Sequence, residues 1–321
     1  MGLLEGTADA VIEVRLTQIL YAARDTNIYS FRRLDGRELP AAEPGAHIDV
    51  HLPNGLVRQY SLIHAEPRPD SYTIGVKRDA TGGGASRYLH DSLRVGARLQ
   101  ISAPRNNFPL HEEAAHSVLI AGGIGITPIW SMVERLAQLE RSWELHYSCR
   151  SREDAALLEA LETFANAHFN FDDENEGRFL DLGGIIARAP PATHFYCCGP
   201  KPMLSAFENI TAGVPGEQVH VEYFTAKEAV AKEGGFVVAL ARSGKEFLVP
   251  HGKSILETLR AAGLNLSASC ERGVCGTCET RVISGEPDHR DAILTAAERA
   301  ANETMMICCS GSRGPRLVLD L

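Results

Sequence analysis

Cys270, Cys275, Cys278 and Cys308 are the residues of this chain best equipped for chemistry. The first three follow the spacing C-x4-C-x2-C in S-C-E-R-G-V-C-G-T-C-E-T, and the fourth lies in M-I-C-C-S. That is the ligand spacing of a plant-type [2Fe–2S] cluster, which takes up and releases one electron at a time. Gly273 and Gly276 let the loop curl around the sulfides and turn backbone N–H groups toward them, which raises the potential. The rival readings are a zinc site and a disulfide pair. Zinc ligands usually come as two C-x2-C pairs or as Cys and His pairs, and only one C-x2-C is present. Cys309 reads as packing, with the slack of the loop making it the alternative fourth ligand.

Two further places can hold anions. Gly122, Gly123 and Gly125 lie in A-G-G-I-G-I-T-P, where a pyrophosphate can approach the main chain and meet the free N–H groups of the helix that follows. Pro128 keeps this from being the G-x-G-x-x-G fingerprint, and a tight turn without a ligand is the plainer alternative. Gly82-Gly83-Gly84-Ala85-Ser86 opens a second helix in the same manner. Cys197-Cys198-Gly199-Pro200 ends a later strand, so Cys198 faces the crevice of the first glycine turn; Cys197, pointing the other way, reads as core. In Arg58-Gln59-Tyr60-Ser61-Leu62 the strand period puts Arg58, Tyr60 and Leu62 on one face and Ser61 on the other. An arginine suits a phosphate and a tyrosine a flat ring; a solvated strand residue is the alternative for Arg58.

The elements that must position these groups fall into three sets. V-I-E-V-R-L, I-Y-S-F-R-R, H-I-D-V-H-L and S-Y-T-I-G-V-K alternate as half-buried strands, with turns at Pro44-Gly45 and Pro53-Asn54-Gly55, and predict a small antiparallel barrel. From about His116, strands S-V-L-I-A, W-E-L-H-Y-S and T-H-F-Y-C-C-G-P alternate with helices at 128–139, 153–164 and 203–210, which predicts a doubly wound parallel sheet. T-A-K-E-A-V-A-K-E-G-G reads as a linker. Beyond it come a hairpin, F-V-V-A-L with E-F-L-V-P, a helix at S-I-L-E-T-L-R-A-A-G, and the cysteine loop. Trp130 and Trp143 read as core.

Composition sets the context. At 321 residues the chain suffices for two or three domains. No apolar run approaches the roughly 18 residues of a membrane span, and the first ten residues lack the basic start of a signal peptide. Eight cysteines, four of them apparent cluster ligands, point to a reducing compartment, hence the cytoplasm. A net charge of −9 argues against nucleic acid. From Phe236 onward ten basic and ten acidic side chains balance, so the acidity belongs to the first two thirds.

R-Q-Y-S-L, G-G-I-G-I-T-P, C-C-G-P and the cysteine loop, in that order, resemble the phthalate dioxygenase reductase family of the ferredoxin–NADP⁺ reductase-like flavoproteins. The resemblance runs over essentially the whole chain, down to G-E-P-D-H-R-D and the final L-V-L-D-L. It implies a multidomain protein: an FMN-binding antiparallel β-barrel at 8–112, an NAD-binding doubly wound α/β domain at 113–226, a linker at 227–235 and an α+β β-grasp ferredoxin domain at 236–321. By motif, Arg58 and Ser86, with Gly84, hold the FMN phosphate. Tyr60, Ser61 and Lys77 line the isoalloxazine, with Ser61 near N5. Gly122, Gly123, Gly125, Thr127 and Gly199 hold the dinucleotide. Cys198 lies by the nicotinamide and Phe224 packs by the flavin, so Ser61, Cys198 and Phe224 surround the hydride path. The family often reads R-G-G-S before the phosphate helix; here Ala85 adds a Cβ to that cradle.

The resemblance further implies a reductase, monomeric in isolation, that feeds electrons from NADH to a Rieske-type oxygenase. Electron counting supports the order. A nicotinamide gives two electrons at once, a cluster takes one, and a flavin can do both. The strand end Tyr147-Ser148-Cys149-Arg150 carries no acid for a ribose 2′-hydroxyl, and Arg150 and Arg152 can meet a 2′-phosphate; NADH is expected from the resemblance. Cys149 reads as an incidental thiol and His289 as structural or partner-facing and not a ligand. The alternative from a different class is a non-catalytic iron–sulfur carrier or sensor, without flavin or response to NADH.

Overall fold

Alternating buried and exposed residues build the first sheet, as the strand period requires. The computed structural model describes residues 11–79 and 84–321. Gly82, Gly83 and the first ten residues, on which parts of the sequence reading fall, lie outside them. The strands are β1 (Ile12–Ala23), β2 (Thr26–Arg33), β3 (His47–His51), β4 (Val57–Ser61), β5 (Tyr72–Lys77) and β6 (Arg98–Ile101), with α1 (Ala85–Asp91) between the last two. They pair antiparallel in the order β4-β3-β6-β1-β2-β5. A bridge between Leu62 and Ile74 brings the two edge strands together, so the sheet curls into a barrel. Val14, Leu16, Tyr29, Phe31, Ile48, Val50 and Ile74 fill it.

The central strands of the next sheet are buried along nearly their whole length, as expected of a parallel sheet covered on both faces. Its strands are β7 (His116–Gly122), β8 (Trp143–Cys149), β9 (Ala167–Phe171), β10 (Thr193–Cys198) and β11 (Val219–Glu222), joined through α2 (Ile126–Gln138), α3 (Leu158–Leu161), α4 (Leu182–Arg188) and α5 (Lys201–Ile210). All pairings are parallel, in the order β11-β10-β7-β8-β9. The order reverses between β7 and β10, and the crevice off their carboxyl ends is where such sheets bind ligands. Trp130 and Trp143 are core. The helix expected over 153–164 is only one turn of α3, because Leu157 sits at φ +62° and breaks the run.

Glu222 and Tyr223 mark the boundary between two compact units. The second holds β12 (Phe236–Leu240), β13 (Glu246–Val249), α6 (Ile255–Ala261), β14 (Glu279–Ser284), β15 (Pro287–Asp288), α7 (Ala296–Ala301), β16 (Thr304–Met306), β17 (Gly311–Ser312) and β18 (Arg316–Leu319). A mixed sheet runs β13-β12-β18-β14-β16. Helix α6 packs on it, started by a capping box between Ser254 and Glu257. The polar run before β12 is irregular, yet tied to this unit: Ala231 N–H donates to the Cys309 carbonyl at 2.8 Å.

Candidate functional site

The turn after β7 is shaped by contact with the turn after β10. A Cβ at Gly125 would lie 2.2 Å from the Cys198 carbonyl oxygen, and one at Gly122 would meet Pro200 and Met203 at 2.6 and 2.8 Å. A Cβ at Gly199 would meet Met203 Sδ at 2.8 Å. These three glycines let the two turns touch. Gly123 differs: at φ +53° it has nothing within 4 Å of its Cβ position, so no neighbour crowds it on that side. The Thr127 hydroxyl donates back to the Ile124 carbonyl at 3.0 Å. Its methyl group faces Gly75 of β5, where a Cβ would come within 2.7 Å. The barrel and the glycine turn therefore meet in direct contact.

At that meeting point three side chains converge. Ser61 ends β4, and its buried hydroxyl makes no hydrogen bond of full geometry. Cys198 ends β10 with no exposed surface, and its thiol donates to Glu222 Oε2 at 3.9 Å. Cys198 and Glu222 stand opposite each other in the β10–β11 ladder. Burial pushes the Glu222 carboxyl up to about 8, against the opposing pull of the Cys198 thiol and the Ser61 hydroxyl beside it. Burial also holds the Cys198 thiol far above its usual range. Burial thus favours the uncharged form of both groups. Glu222 was missed in the sequence, where it is one acid in V-H-V-E-Y-F; only its register against Cys198 reveals it.

The other flavin candidates lie on the barrel. Arg58 is half-buried, and its guanidinium donates to the Val57 carbonyl at 2.7 Å. Tyr60 packs against the barrel core, and burial raises its phenol well above the usual range. Lys77 is exposed at the end of β5, close enough to Cys149 to pull that thiol down; burial outweighs it and sets Cys149 at about 11. Gly84 caps α1 at φ +89°. The Ser86 hydroxyl accepts from the Asp79 N–H at 3.1 Å. Phe224 belongs to the other unit and is 40% exposed. A buried Ser61 hydroxyl beside Glu222, a cation on the same strand and an uncrowded Gly123 fit a flavin and a dinucleotide.

In the second unit Cys270, Cys275, Cys278 and Cys308 are all buried. The Cys270 sulfur accepts from the N–H groups of Arg272 and Val274 at 3.3 and 3.4 Å. Cys275 and Cys308 lie close enough to hydrogen-bond to Cys270, and with those N–H groups they hold it far below the ordinary thiol range. Cys308 reaches Cys278 as well. Crowded thiols with backbone N–H groups turned on one of them fit an iron–sulfur centre. Gly273, at φ +73°, leaves room for Cys309: a Cβ there would lie 2.4 Å from its sulfur. His289 bonds Asn302 at 3.1 Å and is structural.

Comparison with known proteins accounts for all three sets of elements. Residues 13–109 match the oxidoreductase FAD-binding domain, 119–178 the oxidoreductase NAD-binding domain and 238–311 the 2Fe-2S iron-sulfur cluster binding domain. The chain is 50% identical over 313 residues to the phenoxybenzoate dioxygenase subunit beta of Ectopseudomonas oleovorans, covering 97% of this chain and 98% of that protein. It is 50% identical over 319 residues to the tetrachlorobenzoquinone reductase of Sphingobium chlorophenolicum, with the same shares covered. Among solved structures, phthalate dioxygenase reductase superposes with a TM-score of 0.73 at 37% identity, covering 98% of this chain and 98% of that one. The three-domain architecture expected from the sequence is borne out. A carrier that uses the cluster alone leaves two of the matched domains unexplained.

Proposed function

We propose, for a chain that belongs to the phthalate dioxygenase reductase family of flavin and iron–sulfur oxidoreductases, that it uses FMN to take a hydride from NADH and supplies single electrons to a Rieske-type oxygenase. The observation that carries this reading is the convergence of Ser61, Cys198 and Glu222 where the barrel meets the switch point of the parallel sheet. A flavin bound there supplies the conversion between a two-electron donor and a one-electron acceptor. Ser61 offers a hydroxyl to a ring edge, Arg58 and Ser86 a charge and a hydroxyl to a phosphate. Gly123 offers uncrowded main chain to a pyrophosphate. Burial, by disfavouring the charged forms of Cys198 and Glu222, keeps negative charge away from a ring that gains electrons. Cys270, Cys275, Cys278 and Cys308 are the proposed cluster ligands. Phe224 is kept as the aromatic cover of the flavin on resemblance alone.

The proposed domains are 8–112, 113–226 and 236–321, joined by 227–235. FMN over FAD follows the likeness to phthalate dioxygenase reductase, although the matched domain is described for FAD. A cytoplasmic monomer fits eight free thiols; among the described residues no helix is long and apolar enough to cross a membrane. A second reading is favoured by the relative named for a quinone: the acceptor is a quinone and not an oxygenase. Purified protein decides. Mass spectrometry of the released flavin reads FMN or FAD. Oxidation of NADH is then followed with a Rieske oxygenase and with a benzoquinone as acceptors. Turnover with the quinone alone overturns the oxygenase assignment; no bleaching of a flavin band by NADH overturns both.

A further inference from the structure

We infer that His111, His194 and His220 form a binding site for a borderline first-row divalent metal ion, zinc in the first place, apart from the flavin, nucleotide and iron–sulfur groups. The ring nitrogens of the three lie within 4.8 Å of one another. His194 Nδ1 and His220 Nε2 are 3.0 Å apart. Three imidazoles on a tetrahedral zinc, with Zn–N near 2.0–2.1 Å, hold their nitrogens about 3.3 Å from each other. One pair already has nearly that separation. His111 is exposed and can close the remainder by turning its side chain.

The three come from rigid and separate parts of the chain. His194 and Tyr196 share one face of β10, and His220 stands opposite Tyr196 on β11. The Tyr196 ring stacks on His220 at 4.4 Å, and its hydroxyl accepts from the His111 N–H at 2.9 Å. The segment bearing His111 joins β6 to β7 and is anchored on both sides. Phe108 packs edge-on against Tyr196, and Glu112 pairs with Arg135 through two bonds of 2.7 and 2.9 Å. The rings of His111 lie 4.8 and 4.9 Å from those of His194 and His220.

The donor set fits such an ion. Neutral imidazole suits zinc, copper and nickel and is a poor ligand for magnesium or calcium. Solvent at His111 can supply a fourth ligand. The bound ion would fasten the segment between the barrel and the parallel sheet to the β10–β11 edge. Without a metal, the same cluster is three stacked rings with one hydrogen bond between imidazoles.

The full chain, loaded with flavin and cluster, is equilibrated with buffered Zn²⁺, desalted and analysed for zinc and iron. One zinc per two irons is expected. His194→Gln and His220→Gln should each lose it, whereas His146→Gln, on another strand of the same sheet, should keep it. His111→Ala, on an exposed loop, reports the same loss should a strand variant fold poorly. Zinc should raise the melting temperature of the parent protein but not of the three triad variants. Failure to retain zinc, or equal retention in His220→Gln and His111→Ala, overturns the site. Since iron and flavin are measured in the same samples, loss of zinc with both retained separates this site from the cofactor sites.

Discussion

The main chain at Gly125 passes so close to Cys198 that a Cβ would sit 2.2 Å from the Cys198 carbonyl oxygen. The first turn of α2 and the end of β10 therefore hold each other in place without a side chain between them. Gly125→Ala must push the turns apart. Overpacking of this kind costs about 1–3 kcal/mol, and it moves Cys198 relative to Gly123. We expect a lower urea midpoint and slower reduction of the flavin by NADH. Gly123→Ala meets no protein neighbour, and its stability should fall only by the cost of its left-handed backbone, roughly 1–2 kcal/mol. An unchanged urea midpoint in Gly125→Ala would sink the packing argument.

Glu222 gives the second prediction. Its carboxyl accepts from the Cys198 thiol, and Gln keeps that shape and an acceptor oxygen. Glu222→Ala removes the acceptor and opens space beside Cys198 and Ser61. Stopped-flow reduction by NADH should slow by at least roughly tenfold in Ala, about 1.4 kcal/mol of barrier, and by much less in Gln. Equal rates in Glu, Gln and Ala remove the residue from the site.

The contrast between Cys270 and Glu222 shows what the sequence carries. A metal centre announces itself by spacing, because its ligands crowd one loop; Cys270, Cys275 and Cys278 could be read directly. The barrel and the parallel sheet were legible for a similar reason, as apolar residues alternate along parts of β1 and β2 and run unbroken through the middle of β7. Glu222 acquires its role from pairing with a strand 24 residues away, and no local pattern marks it. The histidines 111, 194 and 220 escaped notice in the same way. Gly122, Gly125 and Gly199 were expected from the sequence to hold a dinucleotide; their turn-to-turn contact emerges only once β7 and β10 are neighbours. The short α3 is a local surprise: E-D-A-A-L-L-E-A-L-E has good helical propensity, and Leu157 at φ +62° overrides it.

Arg58→Ala should lose flavin. The guanidinium shares its strand with Tyr60 and Ser61, and charge-assisted bonds to a phosphate contribute roughly 1.5–3 kcal/mol each. Flavin absorbance per chain after extensive dialysis is the measurement. Full retention takes Arg58 out of the phosphate site.

Cys275→Ser should stop delivery of electrons to one-electron acceptors through the cluster while NADH still reduces the flavin. The cysteine lies in the unit that begins at Tyr223, and the barrel and parallel sheet keep cores of their own. Iron content, acceptor reduction and stopped-flow flavin bleaching are read on one preparation. Loss of flavin bleaching in a variant that keeps its flavin and its thermal transition contradicts the division of labour.

Coenzyme choice is the last prediction, and here the structure separates two arginines that the sequence left together. Arg152 is held by Glu162 at 2.9 Å and Glu174 at 2.7 Å, and it lies over the Phe171 ring at 4.7 Å. Two carboxylates already compete for that cation, so it is a poor partner for a 2′-phosphate. Arg150 is exposed at the end of β8, on the carboxyl edge where a ribose would lie. One exposed arginine amid an acidic chain gives a 2′-phosphate little net attraction. We therefore expect NADH to be preferred over NADPH by at least roughly tenfold in kcat/KM, about 1.4 kcal/mol of differential binding in the transition state. Arg150→Asp should widen the preference, because it repels the 2′-phosphate and offers an acceptor to the 2′-hydroxyl. Arg152→Ala should leave the ratio unchanged, since its charge is engaged elsewhere. Parallel kinetics with both coenzymes test all three. Equal efficiency in the parent protein, or a larger change in Arg152→Ala than in Arg150→Asp, would reverse the assignment of the two side chains.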